Sequence, residues 1–181
     1  MKLTDEQIHD LAKKYALEFA SIKAIIEVES GGIGFSSYTG KIIIQFEPTW
    51  FKRLSPYTPS GLWSVNGVER QSKEWAAFND AFAKNPKGGM ESTSIGLMQI
   101  MGFHWYELGF KSVDEMWDFA KESEANQLEL GLMFININHK MYEALKTNDF
   151  AKFAYYYNGS QYQKFNYDKR IELAYNKYKQ S

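Results

Sequence analysis

Residues 41–47, Lys-Ile-Ile-Ile-Gln-Phe-Glu, form one short β-branched run in a chain whose other apolar residues recur mostly at helical spacing. Thr39-Gly40 precedes the run and Pro48 closes it, so it reads as a strand. Alternation places Ile42, Ile44 and Phe46 on one face and Ile43, Gln45 and Glu47 on the other. A lone element of this kind among helical segments predicts a mainly α fold of the α+β type, a helical globule with a small β element near residues 36–47.

The helices announce themselves by caps and periodicity. Thr4-Asp5-Glu6-Gln7 is a capping box, and Ile8, Leu11, Ala12 and Tyr15 follow on one face. A second helix is expected from about Ser21 to Ser30, ended by Gly31, Gly32 and Gly34. Ser55 to Gly67, with Pro56, Pro59, Gly61 and Gly67, reads as a surface loop. Trp75, Phe78 and Phe82 mark another helix, closed by Asn85-Pro86. Thr93 looks like a cap for a helical "TSIGLMQIMGF", and Ser112 opens a second capping box. One long helix is expected over Glu122 to Leu145, with Leu128, Leu132, Ile135 and His139 on a stripe. Two more follow, around Asp149 to Tyr157 and Tyr167 to Lys179.

With 181 residues and no repeat, linker or low-complexity tract, the expectation is one domain over 1–181. Cysteine is absent, which excludes disulfides, thiolate metal ligands and cysteine nucleophiles within the chain. The three histidines, His9, His104 and His139, are scattered, so no metal site is expected. A net charge of −1 gives no global field for nucleic acid. The N-terminus lacks the apolar core of an export signal, and no apolar run approaches the roughly 18 residues of a membrane span. Aromatic residues, at 17%, are abundant enough to fill a core and also to line a groove for sugar-like ligands.

"AIIEVESGG", residues 24–32, holds two glutamates of different helical phase. Ile22, Ile25, Ile26 and Glu29 share a narrow sector, whereas Lys23 and Glu27 point away, where they can form an exposed ion pair. A glutamate on an apolar stripe is desolvated, which raises its pKa and suits it to general-acid work. The alternative for Glu29 is a side chain leaning out to water at the last helical turn. The following glycines, lacking side chains, would let a bulky substrate approach. Glu47 could supply a second carboxylate, the pairing used in glycosidic hydrolysis, or could be no more than an edge residue before proline. Leu97, Met98 and Ile100 read as core, whereas Gln99 between them needs polar partners. Tyr155, Tyr156 and Tyr157 fit a core-and-rim role as well as a ligand site.

Taken in order, "AIIEVESGGIGF", "IIIQFEPTWF", "SIGLMQIMGFHWYELGF" and "FAYYYNGSQYQKFNYDKRIELAY" resemble the N-acetylmuramidase family of phage endolysins, over about Ile22 to Tyr175. The "ES", "GLMQI" and "YN-G" elements are also similar to those of soluble lytic transglycosylases and goose-type lysozymes. The resemblance implies a lysozyme-like fold and cleavage of the β-1,4 bond between N-acetylmuramic acid and N-acetylglucosamine. It implies Glu29 as catalytic acid, with Ser30 and Gly31 beside the substrate, and Glu47 of the "FE" element as a second catalytic carboxylate. Gly96, Met98 and Gln99 would line the sugar groove, the Tyr157 hydroxyl would orient the acid, and Asn158 would contact an N-acetyl sugar. Met101 departs from the lytic enzymes, being followed by Gly102-Phe103 rather than proline.

The expected partner is therefore bacterial peptidoglycan, met by a monomer that needs no cofactor, metal, nucleic acid or membrane insertion. No residues are left for a separate wall-binding module. Such a protein would be made in the host cytoplasm and act on the wall after release. Two alternatives stand: a lytic transglycosylase that forms anhydromuramoyl products, and a non-catalytic wall-binding or virion module.

Overall fold

The computed structural model describes residues 2–56 and 70–180, so most of the expected Ser55–Gly67 loop lies outside the described residues. Helix α1 (Asp5–Tyr15) begins at the expected capping box, in which Thr4 and Gln7 satisfy each other's backbone N–H groups. It stops where Ala16 turns left-handed. Helix α2 (Phe19–Ser30) starts two residues earlier than expected and ends at Gly31, whose φ of 62° favours glycine.

The β-branched run is shorter as a strand than its composition suggests. Only Ile44–Phe46 form β1; the predicted alternation holds, with Ile42, Ile44 and Phe46 buried. Pro48 does not merely end the strand but occupies the first turn of a helix, α3 (Pro48–Leu54), where its missing N–H costs nothing. Helices α4 (Gln71–Lys84) and α5 (Pro86–Glu91) follow, the second capped by Asn85.

The helix expected over "TSIGLMQI" is a hairpin instead. Thr93–Ile95 form β2 and Ile100–Met101 form β3, giving an antiparallel sheet in the order β1-β2-β3. Gly96 at φ 70° and Gln99 at φ 49° turn the chain between the strands, and two left-handed residues within four positions forbid a helix. The apolar residues that suggested a helical face, Leu97, Met98 and Ile100, are buried all the same.

A 3-10 turn (Gly102–Trp105) leads to α6 (Val113–Glu122), capped by Ser112 through the Glu115 amide. The single long helix expected next is two: α7 (Glu124–Ile137) and α8 (His139–Lys146). Asn138 breaks it by adopting an extended backbone and capping α8 through the Met141 amide. The predicted stripe survives at Leu128, Leu132 and Ile135, all fully buried, whereas His139 is exposed. Helix α9 (Phe150–Asn158), a 3-10 turn (Tyr162–Phe165) and α10 (Tyr167–Lys179) complete the chain.

Helix α10 lies along α2 in the most extensive helix pairing among the described residues. Across that seam Lys177 bonds Glu27 at 2.8 Å, while Lys23 pairs with Asp5 at 2.9 Å, so the expected Lys23–Glu27 pair does not form. A tertiary partner displaces the local one because exposed i,i+4 pairs are worth only about 0.3 kcal/mol. Phe46, Phe51, Phe153, Leu128 and Leu130 anchor a continuous core that joins sheet and helices. Each contributes roughly 1.5–3 kcal/mol through burial.

Candidate active site

Glu29 stands one residue before the end of α2, partly buried while Glu27 on the opposite side is exposed. Asn158, the last residue of α9, donates from Nδ2 to Glu29 Oε1 at 3.0 Å. Burial pushes the Glu29 carboxyl above its ordinary value, against the Asn158 hydrogen bond and the charge of Arg170, which both pull it down. Asn158 Oδ1 is buried and has no hydrogen-bond partner among the described residues.

The residues beside the acid complete the helix end. Ser30 donates its hydroxyl to Ile26 O at 3.2 Å and accepts the Gly32 amide, so it serves as a local cap. Gly31 and Gly32 both take positive φ, and a Cβ at either would meet nothing within 4 Å. Their glycine character answers to backbone geometry, and the space above them is open.

Tyr157 does not hydrogen-bond the acid: its hydroxyl donates to Met98 O at 2.8 Å. Burial holds the phenol well above its ordinary range, and the nearby Glu29 charge adds to that. Met98 corrects the expectation of a groove-lining side chain. It is 2% exposed and packs against Gly131, so it offers the site only its carbonyl. Gly96 is likewise buried, its Cα facing Gln127, and shapes the turn from below.

Gln99 finds the partners its amide required. It donates to Gly96 O at 2.7 Å and accepts from the Ser94 hydroxyl at 3.0 Å. Ser94 opposes Gln45 across the sheet, and Gln45 donates to Glu47 Oε1 at 2.6 Å. Residues 158, 157, 98, 99, 94 and 45 thus form a polar run with Glu29 at one end and Glu47 at the other.

Glu47 precedes α3 and anchors itself by donating its amide to Ser92 O at 2.9 Å. Burial raises its carboxyl above the ordinary value; Gln45 opposes this and the charge of Glu74 adds to it. Glu29 and Glu47 are therefore both biased toward the protonated form, one at a helix end and one just past a strand.

Three residues near these acids were not singled out from the sequence. Arg170 donates to Val28 O at 3.2 Å and lies over the Tyr167 ring, beside Glu29. A cation in the first turns of α10 runs against the helix dipole, and that misplacement was a readable signal. Tyr167 itself feels the Glu29 charge. Glu74, fully buried, accepts the Phe46 amide at 2.9 Å. It shares the Ala77, Phe78, Ala81 stripe, so the helical-phase reasoning applied to Glu29 finds it too.

A file of aromatic rings runs from the Glu47 side toward the Glu29 side. Trp50 meets Phe103 at 4.5 Å, Phe103 meets His104 at 4.4 Å, and His104 meets Phe134 at 4.8 Å. Phe134 in turn meets the Tyr157 ring at 6.1 Å. Among the described residues no cluster of three His, Cys, Asp or Glu could hold a metal ion, and no helix is long and apolar enough to cross a membrane.

A family model described as N-acetylmuramidase matches residues 18–179. The crystal structure of an endolysin from Burkholderia AP3 phage is similar, with a TM-score of 0.88 and 32% identity over 99% of this chain and 72% of that one. No curated protein sequence matches significantly.

Proposed function

The chain belongs to the N-acetylmuramidase family, a family of peptidoglycan-cleaving enzymes, and from that premise we propose that it hydrolyses the β-1,4 bond between N-acetylmuramic acid and N-acetylglucosamine with Glu29 as general acid. The observation that carries this reading is the desolvated Glu29 carboxyl, held at a helix end by Asn158. In the protonated acid, the Asn158 donation to Oε1 leaves Oε2 to carry the proton that passes to the leaving oxygen. The glycosidic C–O bond breaks as the new O–H bond forms, and positive charge develops on the sugar ring.

Glu47 is the candidate for the second carboxylate, accepting a proton from the attacking water or balancing the ring charge. The open space over Gly31 and Gly32 suits a bulky glycan. Asn158 is the candidate to meet an acetamido group, and because its unpartnered Oδ1 is buried this contact requires the side chain to turn as the sugar seats. The site of action is the bacterial cell wall.

Digestion of purified peptidoglycan by wild type and Glu29→Gln, with mass spectrometry of the products, tests the assignment. New reducing muramic acid ends from wild type and none from the variant are expected. Equal cleavage by both would remove Glu29 from the role, and binding without cleavage by wild type would leave a wall-binding module.

One observation favours a second reading. Glu47 is itself pushed toward the neutral form, which ill suits a base. If Glu29 works alone, first as acid and then as base, the muramoyl 6-hydroxyl attacks and anhydro ends replace reducing ones.

A further inference from the structure

Two turns and one strand entry meet near Gly34, Ile43 and Gly96. Gly34, after the acid-bearing helix, accepts the Ile43 amide at 2.9 Å, and Ile43 O accepts the Gly96 amide at 2.8 Å. Two side chains of α7, one turn apart, reach this crossing from below. Glu124, 5% exposed, accepts the Gly34 amide on one oxygen and the Leu3 amide on the other, both at 2.9 Å. Gln127, 1% exposed, accepts the Leu97 amide at 2.8 Å and donates to Ala120 O at 3.0 Å.

The packing admits nothing larger. A Cβ on Gly34 would fall 2.1 Å from Gln127 Oε1, and one on Gly96 2.8 Å from the same amide group. Glu124 Oε1 thus holds Gly34, five residues after Glu29, and Gln127 Oε1 holds Leu97, two residues before Gln99, while their remaining polar atoms tie the pair to Leu3 and Ala120. A buried, fully satisfied polar pair is rigid, and removing one partner leaves a buried group unpaired.

We infer that Glu124 and Gln127 are positioning residues: they clamp the Gly34 turn to the Gly96–Leu97 turn and thereby fix the spacing between the helix that carries Glu29 and the strand that leads into Glu47. This rests on the muramidase reading for its catalytic consequence but not for the clamp itself. Catalysis by two groups on separate elements is sensitive to their separation, and a misplacement of about 1 Å can cost on the order of a hundred-fold in rate.

The absence of cysteine permits a direct measurement. Spin labels on cysteines introduced at exposed Glu27 of α2 and exposed Lys52 of α3 report the spacing by pulsed electron resonance. The test variants are Gln127→Met, which keeps the volume and removes both hydrogen bonds, and Gly34→Ala, which drives a methyl into the same amide. Gly34 lies outside the left-handed region, so alanine tests the contact alone. Leu128→Ala, from the same helix but the apolar stripe, is the control for plain destabilisation.

Both test variants are expected to shift or broaden the distance distribution and to lower kcat about ten- to a hundred-fold at a KM within about two-fold of wild type. The control is expected to lower the melting temperature and leave the distribution in place. If Gln127→Met does not fold, Gly34→Ala carries the test. An unchanged distribution in the folded test variants would overturn the clamp. So would a shifted distribution with wild-type kcat, or the same shift in the control. If wild type cleaves no glycan, the muramidase reading fails instead, and the distance arm alone decides: a shift specific to the test variants supports the clamp, and no shift overturns it.

Discussion

Asn158 Nδ2 lies 3.0 Å from Glu29 Oε1 across 129 positions of sequence, so the end of α9 holds the end of α2 at the candidate acid. Arg170 reinforces that contact from α10 by bonding Val28 O in the same turn. Both groups favour the carboxylate, and burial, which favours the acid, outweighs them.

Removing either group is expected to move the alkaline limb of the pH–rate profile upward. Glu29 must be protonated to act, and Asn158→Ala or Arg170→Met takes away an interaction that stabilises its ionised form. The acid then keeps its proton to higher pH. Profiles of kcat/KM on purified peptidoglycan check this, and a limb that moves down in both variants would contradict the electrostatic assignment.

Glu29→Gln is expected to stabilise the fold near neutral pH. The folded Glu29 pKa lies above its ordinary 4.5, so the native state binds more protons than the unfolded chain between those values. Wild-type stability therefore falls as pH rises through that window, and the variant, which carries no proton to lose, does not pay it. The gap closes below pH 4.5, and urea titrations at acid and neutral pH measure it.

Tyr157→Phe is expected to cost stability rather than reposition the proton. Its hydroxyl serves Met98 O, so the variant leaves a carbonyl unpaired at about 1–3 kcal/mol. A melting temperature lower by a few degrees is expected. The pH–rate limb should hold within a few tenths, in contrast to the Asn158 and Arg170 variants.

Glu47→Gln separates the two product chemistries. With Glu47 as second carboxylate, kcat is expected to fall by about a hundred-fold while any residual products keep reducing ends. A change of less than about three-fold, with anhydro ends, would make Glu29 the sole acid and base. The variant retains the size of Glu47, and its amide can still meet Gln45.

Helical phase separated Glu29 from Glu27 correctly because both lie on a regular helix, where sequence spacing converts directly into direction. The hairpin at Thr93–Met101 was hidden for the converse reason. Gly96 and Gln99 adopt positive φ, Gly96 under Gln127 and Ile43 from distant elements and Gln99 through local bonds to Gly96 and Ser94, and the apolar residues between them are buried on a turn. The break at Asn138 was local and readable, since asparagine is a good cap, but the stripe of Leu128, Leu132 and Ile135 masked it. The Tyr157–Met98 bond spans 59 positions and the Glu124–Gly34 bond 90, beyond what periodicity can reach.

The outer margin of β1 is already occupied. Gln71 offers its side-chain amide to both the N–H and the C=O of Ile44, at 3.0 and 2.8 Å, and Glu74, one turn on, takes the Phe46 amide. Two side chains of α4 thus imitate a fourth strand. With those three groups of Ile44 and Phe46 taken, an added strand cannot pair with them on that side, while β3, two residues long, is too short to recruit one on the other. Strand addition along β1 therefore requires α4 to unfasten Gln71 and Glu74 first.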